Sequence, residues 1–203
     1  MEKGADSSVR EFWDWFGANA GAIAADVRDR TFLEEIDERV TNHAPGLSWE
    51  IGPGKVKPWQ LVISPNLDRE YRELARSIVA QAPELDDWEF HSAREPKEWN
   101  YRFELVGDGN AEPIAIDATN WTFVLLEYPE GTREILFKAP DFRMLSGEEL
   151  WIAGAIVIES IIGEDAFLDT VNDFAVLNEF EPQFASRERP IQSLREALIG
   201  NEL

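Results

Sequence analysis

The stretch "LSWEIGPGKVKPWQLVIS", residues 47–64, constrains the fold more than any other part of the chain. Leu47, Trp49 and Ile51 alternate with polar residues, and Trp59, Leu61 and Ile63 do the same after the glycine- and proline-containing centre. A period of two is typical of a strand with one buried face. The stretch therefore predicts two strands that are joined by a turn.

The GPGK centre raises the alternative of a phosphate-binding loop. A Walker-type loop needs G-x-x-x-x-G-K followed by Ser or Thr, and then a helix whose N-terminus faces the phosphate. Here Val56 follows Lys55, and Pro58 precedes a strand pattern. Glycine and proline are the usual residues of tight turns. The sequence therefore favours a hairpin over a Walker-type phosphate site.

Helix signals flank these strands. Apolar residues at helical spacing predict helices that begin near Ser8 and Thr31, each followed three residues later by a glutamate, as in a capping box. A third helix is predicted before Pro83, and a late apolar run, residues 150–162, predicts a buried helix. Ser146 with Glu149 is the expected capping box of that helix, and Gly163 is its expected C-cap.

Further alternating runs lie between the third helix and the late apolar helix, and short connections separate them. This order predicts an α+β fold with a mainly antiparallel sheet and helices packed on one face. The prediction is one domain over residues 1–203, with a subdivision near 92–100 as the alternative. The sequence shows no fixed-period repeat and no low-complexity tract.

The charge and composition exclude several classes of protein. A net charge of −21 argues against nucleic-acid binding, which needs clustered Lys and Arg. There is no cysteine, no H-E-x-x-H motif and no calcium-loop motif, so no metal or cofactor is predicted. The apolar run of 13 residues is short for a bilayer, and the first residues lack a signal-peptide pattern, so a cytoplasmic location is expected.

Several segments carry a resemblance to a group of bacterial sequences. The segments "PGLSWEIGPG", "LVISP", "APEL" with "WEF", and "WTFVLLEYPEG" before a late apolar helix resemble a group of uncharacterised bacterial α+β proteins. The resemblance covers residues 12 to about 180 and implies a bacterial protein of that fold. It implies no activity and no catalytic residues.

Two histidines and eight tryptophans are the residues to test for chemistry. His43 lies near a predicted helix end, where a structural role is favoured. His91 precedes a charged loop that includes Trp99, and this segment is the first candidate for a pocket. Most tryptophans fit inward positions of predicted elements, but Trp15 and Trp99 do not, and they are candidates for a partner surface.

The acidity itself is the remaining functional signal. It favours a non-enzymatic protein-binding module that captures a basic protein partner, in the manner of an immunity protein or an inhibitor. The alternative is an enzyme or small-ligand protein with a site in the His91 to Trp99 segment, and homo-oligomerisation through the apolar exceptions is a third hypothesis. The predicted binding residues are Trp15, Glu35, Glu38, Asp86, Asp87, His91 and Trp99.

Overall fold

The computed structural model describes residues 2–106, 112–140 and 145–200. These residues form six α-helices and nine β-strands in open sheets, so the predicted α+β fold is confirmed. The chain divides into two compact units, Met1–Arg94 and Glu95–Leu203, which we call unit 1 and unit 2. The division falls inside the predicted stretch 92–100, and the single domain stays a prediction.

Unit 1 is built from three helices and a three-stranded sheet with the order β1-β2-β3. Its elements are α1 (Glu2–Ala25), α2 (Arg30–His43), β1 (Ser48–Pro53), β2 (Trp59–Ser64), α3 (Arg69–Val79) and β3 (Trp88–His91).

The predicted hairpin is confirmed, since β1 and β2 pair antiparallel with Trp49 opposite Ile63. The strand β3 differs from the expected antiparallel arrangement because it runs parallel to β2. The connection between β2 and β3 contains α3, and this helical crossover carries the chain back to the end of the sheet where β2 begins. The next strand therefore has the same direction as β2.

The core of unit 1 lies on one face of this sheet. Phe12, Trp13 and Phe16 of α1 are buried in one cluster with residues of α2, α3 and the strands. Two indole groups fasten α1 to distant parts of the unit. Trp13 Nε1 donates to the Ile78 carbonyl oxygen at 2.8 Å, and Trp88 Nε1 donates to the Ala20 carbonyl oxygen at 3.2 Å. Buried aromatic N–H groups are satisfied in this way.

Two of the predicted helix starts are wrong. Helix α1 begins at Glu2, so Ser8 lies inside it and does not cap it. Helix α2 begins at Arg30, and its N-cap is Asp29, whose side chain accepts a hydrogen bond from Thr31 N. Aspartate is as good an N-cap as serine or threonine, and Asp29 precedes the predicted position by two residues.

Unit 2 contains a two-stranded sheet, a four-stranded sheet with the order β8-β7-β6-β9, and three helices among its described residues. Its elements are β4 (Arg102–Leu105), β5 (Ile114–Asp117), β6 (Thr122–Glu127), β7 (Arg133–Lys138), α4 (Gly147–Ile162), α5 (Glu164–Thr170), β8 (Asp173–Leu177), β9 (Arg189–Pro190) and α6 (Leu194–Ile199).

The late apolar helix is α4, and most of its length is buried as predicted. Both arms of the Ser146 and Glu149 capping box are formed, and Gly163 at the C-cap has φ +82°. Helix α4 packs closely on β8 at Gly154. A Cβ atom at this position would lie only 2.6 Å from the Phe174 ring. The crossover through α4 and α5 makes β8 parallel to β7, as α3 does for β3 in unit 1.

Candidate functional site

The loop between β1 and β2 holds the carboxylate of Glu89. Three consecutive backbone N–H groups donate to it: Lys55 N lies 2.6 Å from Oε1, while Val56 N and Lys57 N each lie 2.9 Å from Oε2. Consecutive amides that point to one place form a nest, a concave site for an anion. The GPGK segment is thus a hairpin loop that binds an anionic group supplied by the protein itself.

The pairing of β3 with β2 and the glycine at position 54 bring Glu89 to the loop. Parallel pairing puts Glu89 of β3 beside Gln60 of β2, close to the loop that precedes β2. A side chain at Gly54 would overlap the Lys57 carbonyl oxygen and lie 2.9 Å from the Glu89 carboxylate. Glycine is therefore required at this position by the close approach of the loop to Glu89.

The nest controls the ionisation of Glu89. Burial alone would raise the pKa of this carboxyl, but hydrogen bonds from the amides of Lys55, Lys57 and Val56, together with the His91 side chain, lower the pKa from 4.5 to about 2. A carboxylate that accepts several backbone hydrogen bonds is stabilised in its charged form. Glu89 therefore remains an anion over the whole physiological pH range.

His91 lies one pleat further along β3, and its Nε2 is 3.3 Å from Glu89 Oε1. In the same row across the sheet, Glu50 and His91 flank Val62. Glu50 forms an ion pair with Arg94 at 3.5 Å. His91 therefore lies beside the Glu89 carboxylate, whereas Val62 separates it from Glu50, and both carboxylates are engaged by other groups.

Trp15 and Glu35, two predicted binding residues, are brought together by Arg39. The Arg39 guanidinium lies over the Trp15 ring at 4.7 Å from its centroid, and Arg39 Nη2 is 2.9 Å from Glu35 Oε2. Trp15 is half-buried, and its ring also stacks on Phe12. Glu38 is exposed on the same helix, α2.

Asp86 and Asp87 lie in the connection between α3 and β3, and both side chains are exposed. The backbone carbonyl of Asp87 accepts a hydrogen bond from Trp59 N at 3.0 Å, which fixes this connection to the start of β2. The two carboxylates are thus presented on a segment whose backbone is anchored.

Trp99, the last predicted residue, belongs to unit 2. Its ring lies 5.2 Å from the Tyr101 ring and 5.9 Å from the Phe103 ring, and all three residues are half-buried. Phe103 also lines an open cavity of about 440 Å³ on the β4–β5 ribbon, together with Arg102, Glu104, Ala115, Ile116 and Asp117. Trp99 is therefore part of an aromatic cluster beside this ribbon.

The remaining histidine, His43, is the last residue of α2, where its Nδ1 lies 3.3 Å from Ser8 Oγ. Burial lowers the pKa of His43, which favours the neutral imidazole. Its ring also meets the edge of the Phe12 ring, at 6.3 Å between centroids. These contacts tie α1 to α2.

Sequence reasoning missed two residues. Glu89 accepts the amides of the β1–β2 loop, and Arg39 contacts both Trp15 and Glu35. The signal for Arg39 was present, because Glu35 and Arg39 have the i, i+4 spacing of a helical ion pair. The signal for Glu89 was not available locally, since its position depends on the parallel pairing of β3 with β2.

Over the described ranges, no helix has the length and hydropathy to cross a membrane, and no group of three or more His, Asp or Glu side chains has an arrangement that could hold a metal ion. Comparisons of the chain with protein-family models, with curated proteins and with solved structures returned no match. The resemblance to bacterial α+β proteins stays a prediction.

Proposed function

We propose that the protein is a non-enzymatic binding module that recognises a basic protein through carboxylates exposed on unit 1. The observation that supports this proposal is how the acidic side chains of segments 34–38 and 84–89 are used. Three of them are bonded within the protein: Glu35 to Arg39, Asp37 to Trp49 Nε1 at 3.0 Å, and Glu89 to the β1–β2 loop.

The other acidic side chains of these two segments are exposed, and they make no hydrogen bond or ion pair with the residues that the structure describes. They are Glu34, Glu38, Glu84, Asp86 and Asp87. Solvated carboxylates can pair with the Lys and Arg side chains of a partner without first losing an internal bond. Such complementarity speeds association and selects basic partners.

The net charge of both units supports the same proposal. Unit 1 has 18 Asp and Glu against 11 Lys and Arg, and unit 2 has 22 against 8, which gives net charges of −7 and −14. A field of this sign steers cationic molecules towards the protein. Because exposed charges are screened beyond about 8 Å at physiological ionic strength, we expect strong salt dependence.

The Trp15 and Arg39 pair provides an anchor beside the acidic residues of α2. Tryptophan and arginine are enriched among the residues that contribute most to protein interfaces. The half-exposed Trp15 ring offers apolar surface, and Arg39 keeps the ring and Glu35 in a fixed arrangement. We propose that this anchor supplies contact area while the carboxylates supply charge.

The proposal is tested by capturing partners from a host lysate at low and moderate salt and identifying them by mass spectrometry. The test variant carries Glu38→Gln, Asp86→Asn and Asp87→Asn. A matched control carries Glu98→Gln, Glu112→Gln and Glu179→Gln, three exposed carboxylates of unit 2. Both variants lose the same charge, so any difference between them reports the location of the binding surface.

We expect a basic protein that is retained by the wild type and by the control, released by salt, and lost from the test variant. Capture that does not respond to salt would contradict the electrostatic basis of the proposal. Equal weakening by both variants would contradict the assignment of the surface to unit 1.

A further inference from the structure

The nest in the β1–β2 loop has the donor set of an oxyanion site, and its occupant is a side chain of the same protein. We propose that loop 54–58 is a binding site for a phosphate-class oxyanion and that the Glu89 carboxylate is its exchangeable resident ligand. This site uses different residues from the exposed carboxylates proposed to bind a basic protein, and it selects the opposite charge.

Bonds that do not involve the Glu89 side chain hold loop 54–58 in shape. The hairpin frame ends at the pair of Pro53 and Trp59, and Gly54 N donates to the Pro58 carbonyl oxygen at 3.2 Å. Lys57 Nζ donates to the Leu85 carbonyl oxygen at 2.6 Å, which ties the loop to the connection before β3. None of these bonds involves the Glu89 side chain, so the loop amides stay directed at the same place when that carboxylate leaves.

The donors of the loop also fit the oxygens of a phosphate or sulfate ion. The amides divide between the two carboxylate oxygens, one on Oε1 and two on Oε2, and two oxygens of a tetrahedral phosphate or sulfate can accept them in the same way. Lys55 and Lys57 place two cationic side chains on the same loop. Backbone nests of this kind bind phosphate groups in many proteins, and the charge of the ligand strengthens each hydrogen bond.

The Glu89 carboxylate competes with any external anion for the loop amides. Because Glu89 is tethered beside the loop, its effective concentration is on the order of millimolar or higher, and an external anion must displace it. Phosphate must also overcome repulsion by the departing carboxylate. The wild-type protein therefore binds free phosphate weakly, and removal of the Glu89 carboxylate exposes the full affinity of the nest.

The experiment is a titration of ¹⁵N-labelled full-length protein with inorganic phosphate, at constant ionic strength, in which the amide resonances of residues 55–57 are followed. The wild type is compared with Glu89→Ala, which empties the nest, and with Glu89→Gln, which leaves a neutral carbonyl oxygen in it. The control is Glu50→Gln, which removes a carboxylate of the same sheet other than the one that accepts from the loop amides.

We expect saturable shifts at residues 55–57 in Glu89→Ala, with a phosphate affinity at least about tenfold higher than that of the wild type. Sulfate should compete with phosphate, and Glu50→Gln should behave as the wild type does. If Glu89→Ala fails to fold, Glu89→Gln serves in its place, with a smaller gain expected because its amide oxygen still competes.

Folded variants of Glu89 that show no saturable binding of phosphate would overturn the proposal. If the amide resonances of residues 55–57 lost their chemical-shift dispersion in both variants, the proposal would also be overturned, because the loop would then depend on Glu89 for its shape. Neither result bears on the capture of a basic protein by the exposed carboxylates, so the two proposals fail separately.

Discussion

Units 1 and 2 each contain a hairpin, a helical crossover and a third strand parallel to the second, but the amides of their hairpin loops have different acceptors. Both loops have five residues, 54–58 and 128–132, and in both the first amide donates to the last carbonyl oxygen, at 3.2 Å from Gly54 and 3.0 Å from Tyr128. The same frame therefore supports two loops, and the residues inside the frame decide what they bind.

The residues beside the two loops also correspond. Glu89 pairs with the second residue of β2, and Asp173 pairs with the second residue of β7. Glu89 reaches the amides of the first loop, whereas the Asp173 side chain, which is one methylene shorter, accepts from Phe174 N at 2.8 Å. The second loop also has fewer amides to offer, since Pro129 lacks an N–H and Gly131 N donates to the Tyr128 carbonyl oxygen.

The largest expected difference between the loops is their tolerance of alanine. Gly54→Ala places a methyl group against the Lys57 carbonyl and the Glu89 carboxylate, and we expect it to cost about 2–3 kcal/mol of unfolding free energy. Gly131→Ala meets open space and costs about 1–2 kcal/mol, because its φ is +86°. Urea unfolding of both variants measures this difference, and equal costs would show that the first loop is not held tightly.

The second prediction concerns the pH dependence of the stability that Glu89 contributes. Because the pKa of Glu89 is lowered to about 2 in the folded protein, its contribution is fully present above about pH 4.5 and is lost as pH falls towards 2. Glu89→Gln should cost about 1.5–3 kcal/mol at pH 7, and this deficit should shrink over the same acidic range. Unfolding curves from pH 7 to 2 provide the test, with Asp173→Asn as the control at the corresponding position.

The third prediction concerns the caps of the crossover helices. Asp68 accepts from Glu70 N at the start of α3, and Ser146 forms the capping box of α4. Substitution of either by alanine should lower stability by about 1 kcal/mol. Ser193→Ala is the matched control, since Ser193 precedes α6 without making a side-chain cap bond. A cost for Ser193→Ala equal to the other two would assign the loss to something other than capping.

The smallest expected effect is the ionisation of Tyr128 in the second loop. The Tyr128 hydroxyl donates to Glu134 at 2.6 Å, and this bond, followed by burial and the charges of Glu134, Glu130 and Asp173, raises the pKa of Tyr128. Glu134→Gln should lower that pKa towards 10. The ultraviolet absorbance of the ionised ring reports the shift after subtraction of a Tyr128→Phe titration. An unchanged midpoint would mean that the Glu134 bond does not form.

Local patterns in the sequence were sufficient to predict the features that depend on neighbouring residues. The alternation around residues 47–64 predicted the hairpin, and the Ser146 box with Gly163 predicted both ends of α4, because these signals act over a few residues. The cap of α2 was misplaced because Asp29 and Thr31 are both acceptable cap residues, and only the observed bond from Thr31 N distinguishes them.

The parts that sequence reasoning did not reach depend on distant pairing. The position of Glu89 beside residues 55–57 requires β3 to add in parallel to β2, and no local pattern specifies that direction. In the same way, unpaired and bonded carboxylates look alike in the sequence. Asp37 and Glu38 are adjacent, but only Asp37 lies where Trp49 can donate to it.

The two indole hydrogen bonds of unit 1 also have a consequence for biosynthesis. Trp13 and Ile78 are 65 residues apart, and Ala20 and Trp88 are 68 residues apart. A ribosome adds about 5–20 residues per second, so roughly 3–14 s separate the synthesis of α1 from that of its last partner. During that interval the apolar stripe of Phe12, Trp13 and Phe16 has no cover from the later strands. The nascent chain therefore exposes a hydrophobic segment until the later strands have been synthesised.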